Sequence, residues 1–398
     1  MSYRKIALGK LGVIITGETP STKDQDNYNG DIPFITPAEL DYDRCNILTK
    51  AKTYVSRKGI NSSKLLPQNS ILVSCIGSLG KMGIAGSKLV TNQQINAIIF
   101  DEKLVYFKYG YYVCTTLKNT LESIAPSTTL KIVKKSLFSE LKIPVPPLNE
   151  QKKIAAILDK AQSLIDKRKE AIAKLDELIQ AVFLDMFGDP QTNKLGFPKG
   201  KIKDLVSEAK YGTSKKANDW EGRYPYLRMN NLTYEGFMDY SNIKYIDLDA
   251  NEEVKYLVRE RDLLFNRTNS KELVGKTAVY ERSEPMAIAG YLIRVRTNDY
   301  GNPYYISAYL NSKHGKATLQ NMCKSIVGMA NINAKELQNI DILIPDRSFQ
   351  DKFERKYKSI INERGIMEAQ LTQLETNFNA LLQRAFKGEL TSSTDFEE

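Results

Sequence analysis

The chain has 398 residues, 42% hydrophobic and 26% charged, with 57 Lys and Arg against 47 Asp and Glu for a formal net charge of +10. It is long enough for two or more ordinary domains, and it has no apolar run of about 18 residues to span a membrane and no apolar stretch after Met1-Ser-Tyr-Arg-Lys to act as a secretory signal. Its four cysteines, Cys45, Cys75, Cys114 and Cys323, are scattered without a CxxC pair, which argues for reduced cytoplasmic thiols and against a disulfide framework or a zinc site.

Residues 1–149 hold 19 Lys and Arg against 11 Asp and Glu and read as a mixed α/β segment. Lys10-Leu-Gly-Val-Ile-Ile-Thr is a short strand or helix end running into a loop, Gly17-Glu-Thr-Pro-Ser-Thr. Asn29-Gly-Asp signals a turn, and Ile32-Pro-Phe-Ile-Thr is strand-like beyond it. Ser70-Ile-Leu-Val-Ser is a buried-strand candidate, followed by Gly77-Ser-Leu-Gly-Lys-Met and the apolar Ile84-Ala. Thr91-Asn-Gln-Gln places a cluster of amides at the mouth of another strand. A helix is predicted over 109–119.

The strongest periodic pattern follows. Ile143-Pro-Val-Pro-Pro, a Pro-terminated β-like run, leads into a helix predicted over 149–187, with Asn149 as N-cap. The same order recurs at a constant offset of 199 residues, Ile340-Asp-Ile-Leu-Ile-Pro leading into a helix capped by Ser348, so that Pro146 falls on Pro345, Gln151 on Gln350 and Phe187 on Phe386. So long an offset marks a duplicated module of half the chain, not a solenoid. Positions spaced 4-3-4-3 from Ile154 and from Phe353 are apolar at nine places of ten in each helix, Arg168 and Arg364 being the exceptions, which is a coiled-coil seam. The first helix adds Ile157, Leu164, Ala171 and Leu178 beside its seam, whereas the second has Lys356, Glu363, Gln370 and Asn377 there. The first stripe is therefore wide enough to bury against more than one partner.

Residues 188–348 carry 24 Lys and Arg against 20 Asp and Glu and repeat the first segment loosely. Gly212 takes the place of Gly17, Tyr224-Pro-Tyr that of Ile32-Pro-Phe, and Asp262-Leu-Leu-Phe-Asn-Arg that of Ser70-Ile-Leu-Val-Ser-Cys. Val274-Gly-Lys-Thr matches Leu79-Gly-Lys-Met, and Tyr304-Tyr-Ile-Ser-Ala-Tyr-Leu matches Tyr111-Tyr-Val-Cys-Thr-Thr-Leu. The order is globule, helix, globule, helix, so a helix pair joined through its seams must run antiparallel, with a basic globule at each end of a rod about 55 Å long. The expected fold class is α+β, pseudo-twofold by internal duplication. Such a rod matches roughly sixteen base pairs of duplex DNA, and positive charge confined to the globules is the footprint of a polyanion partner.

Motifs for catalysis do not assemble. Asn302-Pro-Tyr-Tyr resembles an amino-methyltransferase loop but lacks a second proline and a glycine-rich cofactor loop, so Asn302 reads as an N-cap with Pro303 in the first turn. Gly77-Ser-Leu-Gly-Lys-Met is too short for a phosphate-binding loop; it reads as a turn between strands or as a phosphate contact through Lys81. Glu140-Leu-Lys142 reads as a solvated strand edge, and His314, the single histidine, as a surface turn residue. No catalytic set and no metal site are expected.

Gly17-Glu-Thr-Pro-Ser-Thr with Asn29-Gly-Asp-Ile-Pro-Phe-Ile, Ser74-Cys-Ile-Gly-Ser-Leu-Gly-Lys, Thr91-Asn-Gln-Gln, and Ile143-Pro-Val-Pro-Pro-Leu-Asn-Glu-Gln-Lys-Lys-Ile-Ala carry a resemblance over essentially the whole chain. It resembles the specificity subunit of a type I restriction–modification enzyme. The second copy departs from the pattern at Gly212-Thr-Ser-Lys-Lys and Asp346-Arg-Ser-Phe. The resemblance implies a target recognition domain at 1–148, a spacer helix at 149–187, a second recognition domain at 188–347, and a second spacer helix with tail at 348–398. It implies a cytoplasmic, non-catalytic reader of double-stranded DNA that assembles with two adenine-methyltransferase subunits and with endonuclease/translocase subunits. S-adenosylmethionine, ATP and Mg are then expected on those partners and no cofactor on this chain. Ile157, Leu164 and Leu178 would receive the methyltransferase subunits.

Candidate DNA contacts are the polar and basic side chains of the predicted loops, Arg and Lys suiting guanine edges and Asn and Gln adenine edges. In the first domain these are Thr19, Ser21, Thr22, Lys23, Ser78, Lys81, Asn92, Gln93 and Gln94. In the second they are Ser214, Lys215, Lys216, Arg228, Asn230, Asn231, Arg267, Asn269 and Lys271. Two other readings are a stand-alone DNA methyltransferase, which would bind S-adenosylmethionine itself, and a coiled-coil adaptor, which would lack salt-sensitive DNA binding.

Overall fold

The structure, a computed structural model, describes residues 3–42, 45–126, 130–326 and 329–390; the tail beyond lies outside the described residues. The elements that position the functional surfaces are β1 (Gly12–Thr16), β2 (Ile71–Ser74), β3 (Met82–Ala85), β4 (Ile95–Phe100), α1 (Phe107–Thr115) and the long α2 (Leu148–Phe187). Their counterparts are β5 (Val206–Tyr211), β6 (Leu263–Asn266), β7 (Thr277–Val279), β8 (Leu292–Thr297), α3 (Pro303–Asn311) and the long α4 (Arg347–Lys387). By contacts the chain divides into two units, residues 1–170 with 369–398, and residues 171–368.

In the first unit the sheet runs β1-β4-β2-β3 and closes with Ile47–Leu48, antiparallel except for that last pair. β2 is buried on both faces, and its period-two alternation sorts its side chains. Ile71 and Val73 join the core with Tyr109, Tyr112 and Val113, while Leu72 faces a second cluster with Leu40, Ala85 and Ala97. Asn29-Gly-Asp does not turn the chain. It is absorbed as a bulge in strand Tyr28–Ile35, with Asn29 at φ 60°, a left-handed conformation asparagine tolerates. The helix predicted over 109–119 is two helices, α1 and Lys118–Ile124. The break falls at two threonines whose hydroxyls donate to carbonyls three residues back, Thr115 to Tyr112 and Thr116 to Val113, both at 2.6 Å. Such back-bonding competes with the helical ladder.

Both long helices begin one residue before the expected caps. Carbonyls of Pro147 and Asp346 accept the first helical N–H groups, so Asn149 and Ser348 lie inside the first turn. A repeated glutamine anchors each helix. Gln151 is fully buried; its Oε1 accepts from the Tyr106 N–H at 2.9 Å, and its Nε2 donates to the Leu104 and Pro146 carbonyls at 2.9 and 2.8 Å. Gln350 repeats this with Asn302 N–H, Tyr300 and Pro345 at 2.9, 2.9 and 2.8 Å. Nearby, the Tyr109 hydroxyl donates to Pro144 at 2.8 Å and that of Tyr305 to Leu343 at 2.7 Å. Tyr305 therefore corresponds to Tyr109, and the sequence match of Tyr304 to Tyr111 is shifted by three residues. Loop lengths between the copies differ, so one offset does not serve both globules and helices.

Every seam position along α2 and α4 is buried or half-buried. In the first unit Phe378 of α4 meets Tyr112 edge-on at 6.2 Å, and Lys169 pairs with Glu375 at 2.9 Å. In the second, Phe183 and Phe187 of α2 meet Phe353 of α4 at 5.9 and 5.6 Å, and Arg364, the charged seam residue, pairs with Asp176 at 2.8 Å.

The second unit's main sheet runs β5-β8-β6-β7, all antiparallel. Asn302 caps α3 through Tyr304 N–H at 2.9 Å with Pro303 in the first turn. His314 is not in a turn: it sits in the first turn of helix Lys313–Met322, edge-on to Tyr309 at 5.9 Å. Glu140 closes helix Lys135–Glu140, and Lys142 opens strand Lys142–Pro144, which pairs with Lys5–Ala7. Glu354 on α4 gathers Arg261, Asn302 Nδ2 at 2.6 Å and Lys358 at 3.0 Å. Burial raises its carboxyl pKa, but these donors outweigh burial and hold it at about 2, against an ordinary 4.5. The folded value is depressed, so this stabilisation is complete above about pH 4.5 and is lost as pH falls through about 2. Glu354→Gln is expected to flatten the acid limb of the second unit's melting temperature between those values, measured by calorimetry.

Candidate nucleic-acid interface

The loops that hold most of the candidate contacts leave one end of each central sheet, while Arg228, Asn230 and Asn231 follow strand Tyr224–Leu227 of a separate sheet. In the first unit the registers Thr16↔Asn96, Val73↔Asn96 and Val73↔Met82 put the C-terminal ends of β1 and β2 beside the N-terminal ends of β4 and β3. Segments 17–23, 75–81 and 91–94 therefore share that end. In the second, Tyr211↔Ile293, Asn266↔Leu292 and Phe265↔Thr277 do the same for segments 212–218, 267–276 and 289–291. Gly17 and Gly212 make the tight approach possible. A Cβ on Gly17 would stand 2.3 Å from the Asn92 carbonyl oxygen, and one on Gly212 would stand 2.2 Å from that of Ile288.

In the first unit Thr19, Ser21, Thr22, Lys23, Ser78 and Gln93 are exposed, and Lys81 and Gln94 half-buried. The Thr19 hydroxyl donates to Gln93 Oε1 at 2.5 Å, tying two of the loops together. Lys81 lies 5.5 Å from the Tyr42 ring, which Lys118 also approaches at 4.1 Å. Gly77 and Gly80 take φ of 74° and 79°, forming a tight turn between β2 and β3. Asn92 is buried and its amide is spent on the turn, accepting from Gln94 N–H at 3.1 Å and donating to Gln94 Oε1 at 2.8 Å.

In the second unit Ser214, Lys215, Lys216, Arg228, Asn230 and Arg267 line one open cleft of about 1030 Å³. Asn269 and Lys271 lie on the adjoining segment but not in its wall. Asn231 is buried, accepting from Arg228 N–H at 2.8 Å and donating to the Asp239 carbonyl at 2.8 Å. It holds the chain turn, as Asn92 does in the first unit. Lys215 is bound to Glu252 at 2.6 Å, and that hydrogen bond raises its pKa. Lys244 pairs with Asp219 at 2.8 Å. Lys216, Arg228 and Arg267 have no carboxylate partner among the described residues. The cleft thus presents uncompensated positive charge, amide donors and acceptors, and the aromatic faces of Tyr211 and Tyr291. That set suits phosphates and base edges.

Residues 2–177 and 196–376 match the family model described as the type I restriction modification DNA specificity domain, once in each half of the chain. The chain belongs to that family. It is 23% identical over 356 residues to the EcoKI specificity subunit of Escherichia coli K12, covering 83% of this chain and 76% of that one. It is 25% identical over 407 residues to the MjaIX specificity subunit of Methanocaldococcus jannaschii, covering 96% and 91%. The S subunit of a type I restriction–modification system from M. genitalium has the same fold, with a TM-score of 0.53, 17% identity and coverage of 97% and 96%. As a type I specificity chain, it recognises DNA and is not itself the catalyst. Among the described residues no helix is long and apolar enough to cross a membrane.

Tyr211 and Tyr291, exposed at 40% and 52%, also line the cleft and are not among the candidates drawn from the sequence. Tyr211 immediately precedes the repeated glycine, and that position was the available clue.

Proposed function

We propose that each unit reads one half of a bipartite site on double-stranded DNA through the loops at the end of its central sheet. The two long helices set the gap between the halves. They also dock two adenine-methyltransferase subunits, which supply S-adenosylmethionine chemistry in the cytoplasm, and endonuclease/translocase subunits bring ATP and Mg. The observation that carries this reading is the doubled construction, in which the same three loops emerge beside one repeated glycine in each unit. The remaining candidates, from Thr19 to Gln94 and from Ser214 to Lys271, are offered as contacts on the exposed part of that surface.

The test is footprinting of the chain with its methyltransferase subunit. Two short protected tracts, weakening steeply as salt rises, are expected; one continuous tract without sequence preference overturns the reading. Adding one helical turn to each long helix lengthens it by ~5.4 Å, so the gap should grow by about two base pairs with both halves unchanged. Mapping methyladenine across a genome carrying the lengthened chain checks this, and an unaltered gap would remove the helices as the ruler.

A further inference from the structure

The two units place chemically different side chains at one equivalent position. Cys75 follows the last residue of β2 and Arg267 the last residue of β6. Cys75 N–H donates to the Gln94 carbonyl at 2.8 Å, and Arg267 N–H to that of Tyr291 at 2.9 Å. Their own carbonyls accept from Val133 at 2.8 Å and Ile332 at 2.9 Å. Thr16 and Tyr211 correspond as well, since the glycines that follow them donate to Ile95 and Leu292, each at 3.1 Å. One frame therefore carries Thr16, Cys75 and Gln94 in the first unit, and Tyr211, Arg267 and Tyr291 in the second.

Cys75 is buried, whereas Arg267 lines the cleft. The Arg267 guanidinium carbon stands 4.7 Å from the centre of the Tyr211 ring, and its Nη1 donates to the Gly290 carbonyl at 3.4 Å. Its Nε is buried with no hydrogen-bond partner among the described residues. The backbone on both sides is pinned and the guanidinium lies against a ring, so the donors are held rather than loose. A fixed fork without a carboxylate suits a planar group that offers two acceptors. On duplex DNA that group is the major-groove edge of guanine, with O6 and N7 side by side.

We propose that Arg267 is a specificity-determining residue that reads a guanine in the second unit's half-site, with Tyr211 as the positioning residue that holds the guanidinium plane. The first unit has no cation at this place, so the two halves differ there. The proposal rests on the DNA-reading function above. The test maps methylated motifs in cells carrying the intact complex with wild-type chain, Arg267→Ala, Arg267→Lys and Tyr211→Ala. Arg267→Ala should relax one guanine of one half by roughly 10- to 100-fold while the other half keeps its bases. Arg267→Lys, which keeps the charge and loses the fork, should relax the same guanine, and Tyr211→Ala should relax it less. Arg267→Lys decides the question if Arg267→Ala does not assemble. A wild-type bipartite motif without guanine overturns the proposal. So does uniformly weaker methylation with an unchanged motif, which is what a phosphate contact gives. A wild-type complex with no bipartite motif would instead overturn the underlying function.

Discussion

Phe183→Ala is expected to destabilise the second unit by about 3–5 kcal/mol, the range for removing a fully buried phenylalanine. Phe183 is 0% exposed, with ring centres of Phe187, Phe353 and Tyr305 at 5.2, 5.9 and 6.0 Å. These neighbours come from α2, α4 and α3, so one side chain joins both long helices to the globule. Relaxation cannot fill the hole, because the Tyr305 hydroxyl is committed to the Leu343 carbonyl at 2.7 Å and Phe353 also packs on Phe187 at 5.6 Å. Limited proteolysis across a temperature ramp should release fragments from 171–368 well before fragments from 1–170. Equal loss of both units would show that this cluster is not where the second unit's cohesion is concentrated.

The same cluster shows why some of the fold was legible in the sequence. A seam written by Phe353, Tyr357, Ile360 and their heptad successors needs only local periodicity, and residue spacing carries it directly. Gln151 and Gln350 were visible as repeats, but their role was not. A buried amide that bolts a helix to a distant loop is a three-dimensional fact, and its partners Leu104 and Tyr300 share no side-chain chemistry. The loops were harder still. Asn92 and Asn231 look like Gln93 and Asn230 in composition, yet each is buried because its amide closes a turn. Tyr211 and Tyr291 give no sign of a shared site in the sequence, because the cleft they line is made by segments eighty residues apart. The pattern Ser70-Ile-Leu-Val-Ser against Asp262-Leu-Leu-Phe-Asn located both central strands, and with them the position of Arg267.

Replacing both Leu164 and Leu178 by glutamate is expected to weaken methyltransferase assembly about 100-fold or more while leaving the chain folded. These leucines are 49% and 42% exposed on α2, spaced two heptads apart beside a seam that is itself covered. Ile157 was expected on the same docking face, but it packs against the first unit's core. Changing it would confuse folding with assembly, and it is better left intact. Covering the exposed half of each leucine contributes roughly 1–1.5 kcal/mol. Placing an unpaired carboxylate in the same contact adds a desolvation penalty of at least that size. On the free chain both positions are about half exposed and lie beside the seam rather than in it, so the melting temperature should fall by no more than about 4 °C. Ile366→Glu on α4, where the side chain is 46% exposed and shares its helix face with Asn362, Glu363, Ala369 and Gln370 rather than with further large apolar residues, is the matched control and should assemble nearly normally. Sedimentation of the purified chain with its methyltransferase subunit separates the cases. Normal assembly by the double variant would move the docking surface off α2, and loss by both variants alike would mean that the partner grips the pair of helices rather than the wide stripe of the first.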